Sequence, residues 1–209
     1  MSRTLHIIYD NCQEDNKIKD ERKDGTNHPE ERQSKILQYF NSSTFKLSIQ
    51  QNEQLADEKV LTAVHCSTYI RFLANAHTSA KQYADKDWYK PALDSLIPYN
   101  LWISQDSKRD ELVKRQPFYK QAGMFASDTM TPILANTYTN ASRSAQNCIL
   151  GADYLIHNQN TIVYALNSSP GHHASQSRYA GYCFFNNAAL AADRLLTLGV
   201  SQVAILDLD

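Results

Sequence analysis

Cysteine is sparse in this chain, and what there is does not pair by spacing. The four thiols, Cys12, Cys66, Cys148 and Cys183, lie far apart in 209 residues and form no CxxC motif. That argues against a disulfide framework or a structural zinc knuckle and leaves reduced thiols as the expectation. Long apolar runs are missing as well, none approaching the ~18 residues of a membrane span. The apolar stretch Leu5 to Tyr9 is too short for a signal-peptide core and is better suited to a first strand. A soluble, cytoplasmic protein is expected. A net charge of −1 gives no global positive field for nucleic acid. There is no G-x-S-x-G elbow, Walker loop or dinucleotide fingerprint, and there are no repeats. With 42% hydrophobic and 21% charged residues the chain reads as ordered. It is long enough for one good-sized domain or most of a larger one.

The pattern of apolar residues predicts alternating strands and helices. Thr4 to Tyr9 reads as a strand, followed by a charge-rich loop through Asn27. His28-Pro29-Glu30-Glu31-Arg32 looks like a helix entry, with proline in the first turn and acids at the positive helix end. Thr44 to Ile49 alternates as a second strand. Leu61, Val64, His65, Thr68, Tyr69, Phe72 and Leu73 recur at helical spacing. From His77 to about Gln121 the composition turns irregular and reads as an insertion. Asn140 to Ile156 fits a helix with Ala145, Cys148, Ile149, Ala152 and Ile156 inward. Thr161 to Leu166 is a short apolar strand, Asn186 to Leu198 a helix closed by Gly199, and Val203 to Leu208 another apolar strand. Such alternation predicts an α/β fold with a largely parallel sheet, in which ligands bind beyond the carboxyl ends of strands.

Two groups of residues stand at those ends. Neighbouring side chains in a strand point to opposite faces, so His172 and His173 can serve one site only if the strand stops before them. Ser168-Ser169-Pro170-Gly171 supplies that break. Asp207 and Asp209, spaced i, i+2, face one side of a strand, where two carboxylates repel unless a cation lies between them. Gly181-Tyr182-Cys183-Phe184-Phe185 sets an aromatic beside a flexible glycine, ahead of an asparagine able to cap the next helix. Each group has a plainer explanation alone: solvated loop histidines, a helix-capping aspartate, packed aromatics.

Together, Pro170-Gly171-His172-His173-Ala174, Gly181 to Asn187 and Ala204 to Asp209 resemble the histone deacetylase superfamily. Asp128-Thr129-Met130-Thr131-Pro132-Ile133 resembles its bacterial acetylpolyamine amidohydrolase-like branch. The resemblance implies an arginase/deacetylase-like fold of parallel sheet and flanking helices, incomplete at the C-terminus, with residues 1–209 the N-terminal portion of one domain. It implies zinc-dependent removal of an acyl group from an amine. Asp209 would be a zinc ligand, His173 the general base, and His172 its electrostatic partner. Asp207 would orient His172 and contribute to a monovalent-cation site for K+. Gly181 and Tyr182 would line the substrate channel.

The chain departs from the family pattern in two places. Ser168-Ser169 stands where the family usually has Arg-Pro, which leaves that loop without the stiffening of proline. One aspartate does not make the three protein ligands of a catalytic zinc, and the zinc histidine, second ligand aspartate and catalytic tyrosine of the family are not among these residues. The 209 residues alone are therefore expected to be inactive. The alternative is a non-catalytic, truncated remnant or interaction module. The resemblance to the polyamine-processing branch also implies that the aromatic-rich interval 77–121, with Trp88, Tyr89 and Trp102, forms a homodimer contact in the complete protein; the plainer alternative is a loop packed on its own domain. A small acylated amine is the expected substrate, and neither nucleic acid nor membrane is an expected partner. A cationic substrate calls for carboxylates, yet Phe118 to Thr131 offers Asp128 alone, with Lys120 opposing.

Overall fold

The apolar N-terminal stretch forms strand β1 (Thr4–Asp10), the middle member of a three-stranded parallel sheet in the order β2-β1-β3. The computed structural model describes residues 3–10, 29–81, 96, 98, 109–116 and 118–209. β2 (Lys46–Asn52) pairs with β1 in the register Thr4 to Lys46 through Asp10 to Asn52. β3 (Thr161–Leu166) pairs on the other side, Thr4 with Thr161 through Tyr9 with Leu166. The consecutive pair Ile7 and Ile8 is fully buried, as a parallel strand covered on both faces requires.

Helix α1 (Pro29–Asn41) begins where the proline and acidic pair predict, while His28 lies outside the described residues. The periodic run Leu61 to Leu73 divides into α2 (Glu58–Leu61) and α3 (Ser67–Lys81). The reason for the break is long-range: the Cys66 amide donates to the Gln176 carbonyl at 2.9 Å, a bond that an unbroken helix would not allow. After α4 (Arg109–Arg115) and α5 (Phe118–Phe125) comes the long α6 (Thr137–His157), which lies against β1, β3 and α7 (Asn187–Thr197). Ala145, Ile149 and Ala152 of its expected inner stripe are buried, and Cys148 and Ile156 are half-buried. Within the interval 77–121, α3 continues to Lys81, Leu96 bridges to Ile133, and Leu96 and Val113 join the main core. Trp88, Tyr89 and Trp102 lie outside the described residues.

The core is aromatic where α3, α5 and the Gly181–Asn187 segment meet. Phe72 stacks on Phe125 with ring centroids 4.7 Å apart. The fully buried Tyr69 donates its hydroxyl proton to the Phe184 carbonyl at 2.6 Å. The structure thus has the expected α/β class, a parallel sheet flanked by helices.

One expected element is absent. Val203 to Leu208 joins no ladder with any described strand, and Leu206 and Leu208 are 82% and 87% exposed. Apolar side chains suit a strand to burial, but its backbone donors and acceptors need a neighbouring strand to pair with. None of the described strands pairs with this run.

Candidate active site

The site is assembled where β3 stops. Ser168 and Ser169 follow its end and are buried, 7% and 8% exposed. Ser168 is tied to Asp10 at the end of β1 through its amide (3.1 Å) and its hydroxyl. The expected looser loop is instead a buried, hydrogen-bonded one. Gly171 then passes so close to the start of α7 that a Cβ there would lie 2.7 Å from the Asn187 amide nitrogen and 2.9 Å from the Phe185 carbonyl. Only glycine fits.

His172 and His173 occupy the turn beyond, with ring centroids 4.2 Å apart. The break therefore brings both rings to one place. His172 Nδ1 is 3.1 Å from Asp207 Oδ2, and its Nε2 is 3.4 Å from Asp209 Oδ2. Both carboxylates thus reach one imidazole, although the segment that carries them is not a strand. The hydrogen bond from His172 holds the Asp207 carboxyl below the usual carboxylate range. A carboxylate on an imidazole nitrogen fixes the ring's tautomer and direction.

Gly181 and Tyr182 close the other side. Both have left-handed backbone, φ 53° and 62°, and a Cβ on Gly181 would sit 2.3 Å from His173 Cδ2. The turn is held from outside by Asp128 and Thr131. Asp128 Oδ2 accepts from the Gly181 amide at 2.7 Å and from the Thr131 hydroxyl at 2.8 Å, and Thr131 Oγ1 accepts from the Tyr182 amide at 3.2 Å. Burial opposes the charge on Asp128, but the hydrogen bonds from Gly181, Thr131 and Met130 outweigh it and hold the carboxyl below its ordinary range. The carboxylate expected to face a cationic substrate is thus committed to the protein's own backbone. Tyr182 itself is 41% exposed, its ring available as a wall.

A cavity of about 500 Å³ opens beside these groups, between α1, the end of β3 and the start of α7. Arg32, Gln33, Asn167, Gly171, His172, Asn187 and Asp209 line it, whereas His173 and Tyr182 do not. His172 and Asp209 thus border this space, whereas the Tyr182 wall does not.

Residues 27–209 match the histone deacetylase domain. The chain belongs to the histone deacetylase family. Within it the chain falls with the acetylpolyamine amidohydrolase-like branch. It is 33% identical over 147 residues to acetylpolyamine amidohydrolase 2 of Pseudomonas aeruginosa, covering 70% of this chain and 39% of that protein. Over 89 residues it is 43% identical to the acetylpolyamine amidohydrolase of Mycoplana ramosa, covering 43% of this chain and 26% of the relative. The crystal structure of acetylpolyamine aminohydrolase from Burkholderia pseudomallei superposes with a TM-score of 0.65 at 25% identity, over 80% of this chain and 44% of that one. The chain thus spans less than half the length of these relatives.

Zinc is the metal that the family implies. Asp209 offers a carboxylate of the right type, but among the described residues no group of three or more His, Cys, Asp or Glu side chains is arranged to hold a metal ion. A catalytic zinc takes three protein ligands, so these residues do not by themselves fit one.

Three buried residues hold this candidate site in ways that no local sequence signal gives. Asp10 appears in sequence only as the polar end of a strand. His65 reads as one more position of an apolar helical stripe, yet its Nδ1 bonds the Ser175 carbonyl at 2.9 Å and its Nε2 accepts from the Asn186 amide at 3.0 Å. Asn187 donates from Nδ2 to the Ser169 carbonyl at 2.9 Å. Their partners lie 18 to 158 positions away in the chain, and no local spacing announces them.

Proposed function

We propose that this chain is part of a zinc-dependent amidohydrolase that hydrolyses the N-acyl amide of a polyamine, a lysine or another small acylamine. The observation that carries the reading is the His172–Asp207 pair at 3.1 Å beside His173, set in a deacetylase-family chain. The relatives named as acetylpolyamine amidohydrolases support a small acylamine over a protein tail. In this reading His173 is the general base that takes the proton of the attacking water, a task for which imidazole is suited near neutral pH. His172 steadies the developing charge, and Asp207 orients it and contributes to a K+ site. Gly181 and Tyr182 wall the acyl channel. Zinc belongs to the reading as the family's metal, with Asp209 as one carboxylate ligand.

The incomplete ligand set makes the 209 residues alone inactive in this reading. It also favours a second one, a non-catalytic interaction module. The two part on one assay: turnover of acetylputrescine and of an acetyl-lysine peptide by the protein carrying the complete domain, purified with zinc. Faster turnover of acetylputrescine is expected. His173→Ala should lower kcat about 10²–10⁴-fold with little change in KM. Absence of turnover on both substrates would replace the enzyme by the module, and unchanged kcat in the variant would remove His173 from the chemistry. The same reading makes the protein a cytoplasmic homodimer through residues 77–121, with neither nucleic acid nor membrane as partner. Deleting that segment and measuring the mass in solution tests the dimer.

A further inference from the structure

Asp10 ends the middle strand of the sheet, and its side chain has no exposure to solvent. It faces the loop that leaves β3. Its Oδ1 accepts from the Ser168 amide at 3.1 Å, from Gln33 Nε2 at 3.0 Å and from Asn147 Nδ2 at 3.1 Å. Its Oδ2 accepts from the Ser168 hydroxyl and from Ser144 Oγ, the latter at 3.3 Å. Ser144 Oγ in turn accepts from the Ser169 amide at 3.1 Å. A carboxylate offers about four lone-pair sites and no donor, so five converging donors fill it. The two consecutive amides that open the histidine loop are both drawn into this one buried cluster.

We infer that Asp10 is a positioning residue for the catalytic loop: through Ser168 and Ser144 it sets the backbone of Ser168–Ser169, and with it the point from which His172 and His173 depart. The sequence departure noted above explains why such an anchor is needed. Proline at position 169 would fix φ but would carry no N–H, so the bond to Ser144 exists because a residue other than proline stands there. Hydrogen bonds here take the place of ring stiffness. At its far end the turn is seated against α7, by the close approach at Gly171 and the Asn187 bond to the Ser169 carbonyl. With both ends held, a shift at Ser168 is passed on to the histidines, because the turn has no slack to absorb it. Asp10 has no recorded bond to either histidine and acts on them through the loop.

The catalytic consequence rests on the amidohydrolase reading; the structural one does not, and the test separates them. In the protein carrying the complete domain, Asp10→Asn keeps the shape but turns donors of its own toward those of Ser168. Ser168→Ala removes one hydroxyl and leaves the carboxylate in place, and Ser169→Pro removes the second amide. A misplacement of about 1 Å costs up to ~10²-fold in rate. Each variant should therefore lower kcat on acetylputrescine by about 10- to 100-fold, with KM within about twofold. In the same variants the amide at position 168, and at 169 where a proton remains, should exchange faster with solvent. The nitrogen resonances of His172 should show a changed tautomer population. Should Asp10→Asn fail to fold, Ser168→Ala decides. Wild-type kcat, wild-type exchange at Ser169 and an unaltered His172 spectrum in folded Ser168→Ala would overturn the inference. So would a loss of kcat that vanishes on correction for the folded fraction. If the unmodified protein turns over no acylamine, the amidohydrolase reading fails, while the exchange and histidine measurements still decide the role of Asp10.

Discussion

His65 donates from Nδ1 to the Ser175 carbonyl and accepts at Nε2 from the Asn186 amide, and together these bonds require the neutral ring. Burial holds its pKa below the ordinary 6.5. The unfolded chain therefore binds more protons than the folded one between the two values, and stability rises with pH across that window. The contribution of His65 is complete above about pH 6.5, declines as the pH falls below it, and levels off beneath the folded pKa. Thermal melts from pH 8 to 5 should show this decline, and His65→Gln should flatten it. An equal slope in both proteins would assign the decline to other groups. Gly181 is the second residue on which the site turns. Gly181→Ala places a methyl 2.3 Å from His173 Cδ2 at a positive φ. The left-handed backbone alone costs about 1–2 kcal/mol. The ring must move as well, so kcat of the complete domain should fall by about 10²-fold. A variant with wild-type melting temperature and rate would show that the His173 ring has room that this geometry denies it.

Among the elements, those carried by local signals were readable in advance and those that depend on distant partners were not. β3 runs over the six residues its apolar pattern predicts. α7 has its expected Asn186 cap and its stop at Gly199, where φ is 95°. Capping, glycine and apolar period are all written within a few residues of the element they bound. The break between α2 and α3 is set by a bond from Cys66 to Gln176, and the missing ladder at Val203 to Leu208 by the lack of a neighbour. Neither cause lies in the segment itself. The same division holds in the site: the His-His turn and the glycine beside it were visible, whereas Asp10 and His65 owe their roles to contacts made across the fold. At the start of α7 the local and the distant meet. Asn186 accepts from the Ala189 amide at 3.0 Å and donates to the Ala174 carbonyl at 3.0 Å. Asn186→Ala should therefore cost about 1–2 kcal/mol in denaturant titration, more than a cap alone. A cost below about 0.5 kcal/mol would mean that the link to Ala174 contributes nothing.

For the molecule as a whole, the distribution of apolar surface is uneven. The core of α3, α5 and the Gly181–Asn187 segment is closed, while Ile205, Leu206 and Leu208 stand out at 57%, 82% and 87% exposure. Large contiguous apolar surface is uncommon on a soluble monomer. The 209-residue chain should bind a hydrophobic dye, and Leu206→Ser with Leu208→Ser should lower that signal. Dye binding that is absent, or unaltered by the pair of substitutions, would place the exposed surface elsewhere.

The central position of β1 also governs the order in which the sheet is completed during synthesis. Its partner on one side, β2, emerges soon after it, but β3 lies roughly 150 residues further on. At ~5–20 residues per second the ribosome takes on the order of 10 s to deliver β3. For that interval the buried pair Ile7 and Ile8 has one open edge, and Asp10 waits for the serines that will surround it. β1 is thus enclosed only when its later-made partner, β3, arrives. Until then the nascent chain is open to wrong pairing along the β3-facing edge of β1, where a holding chaperone would find its target.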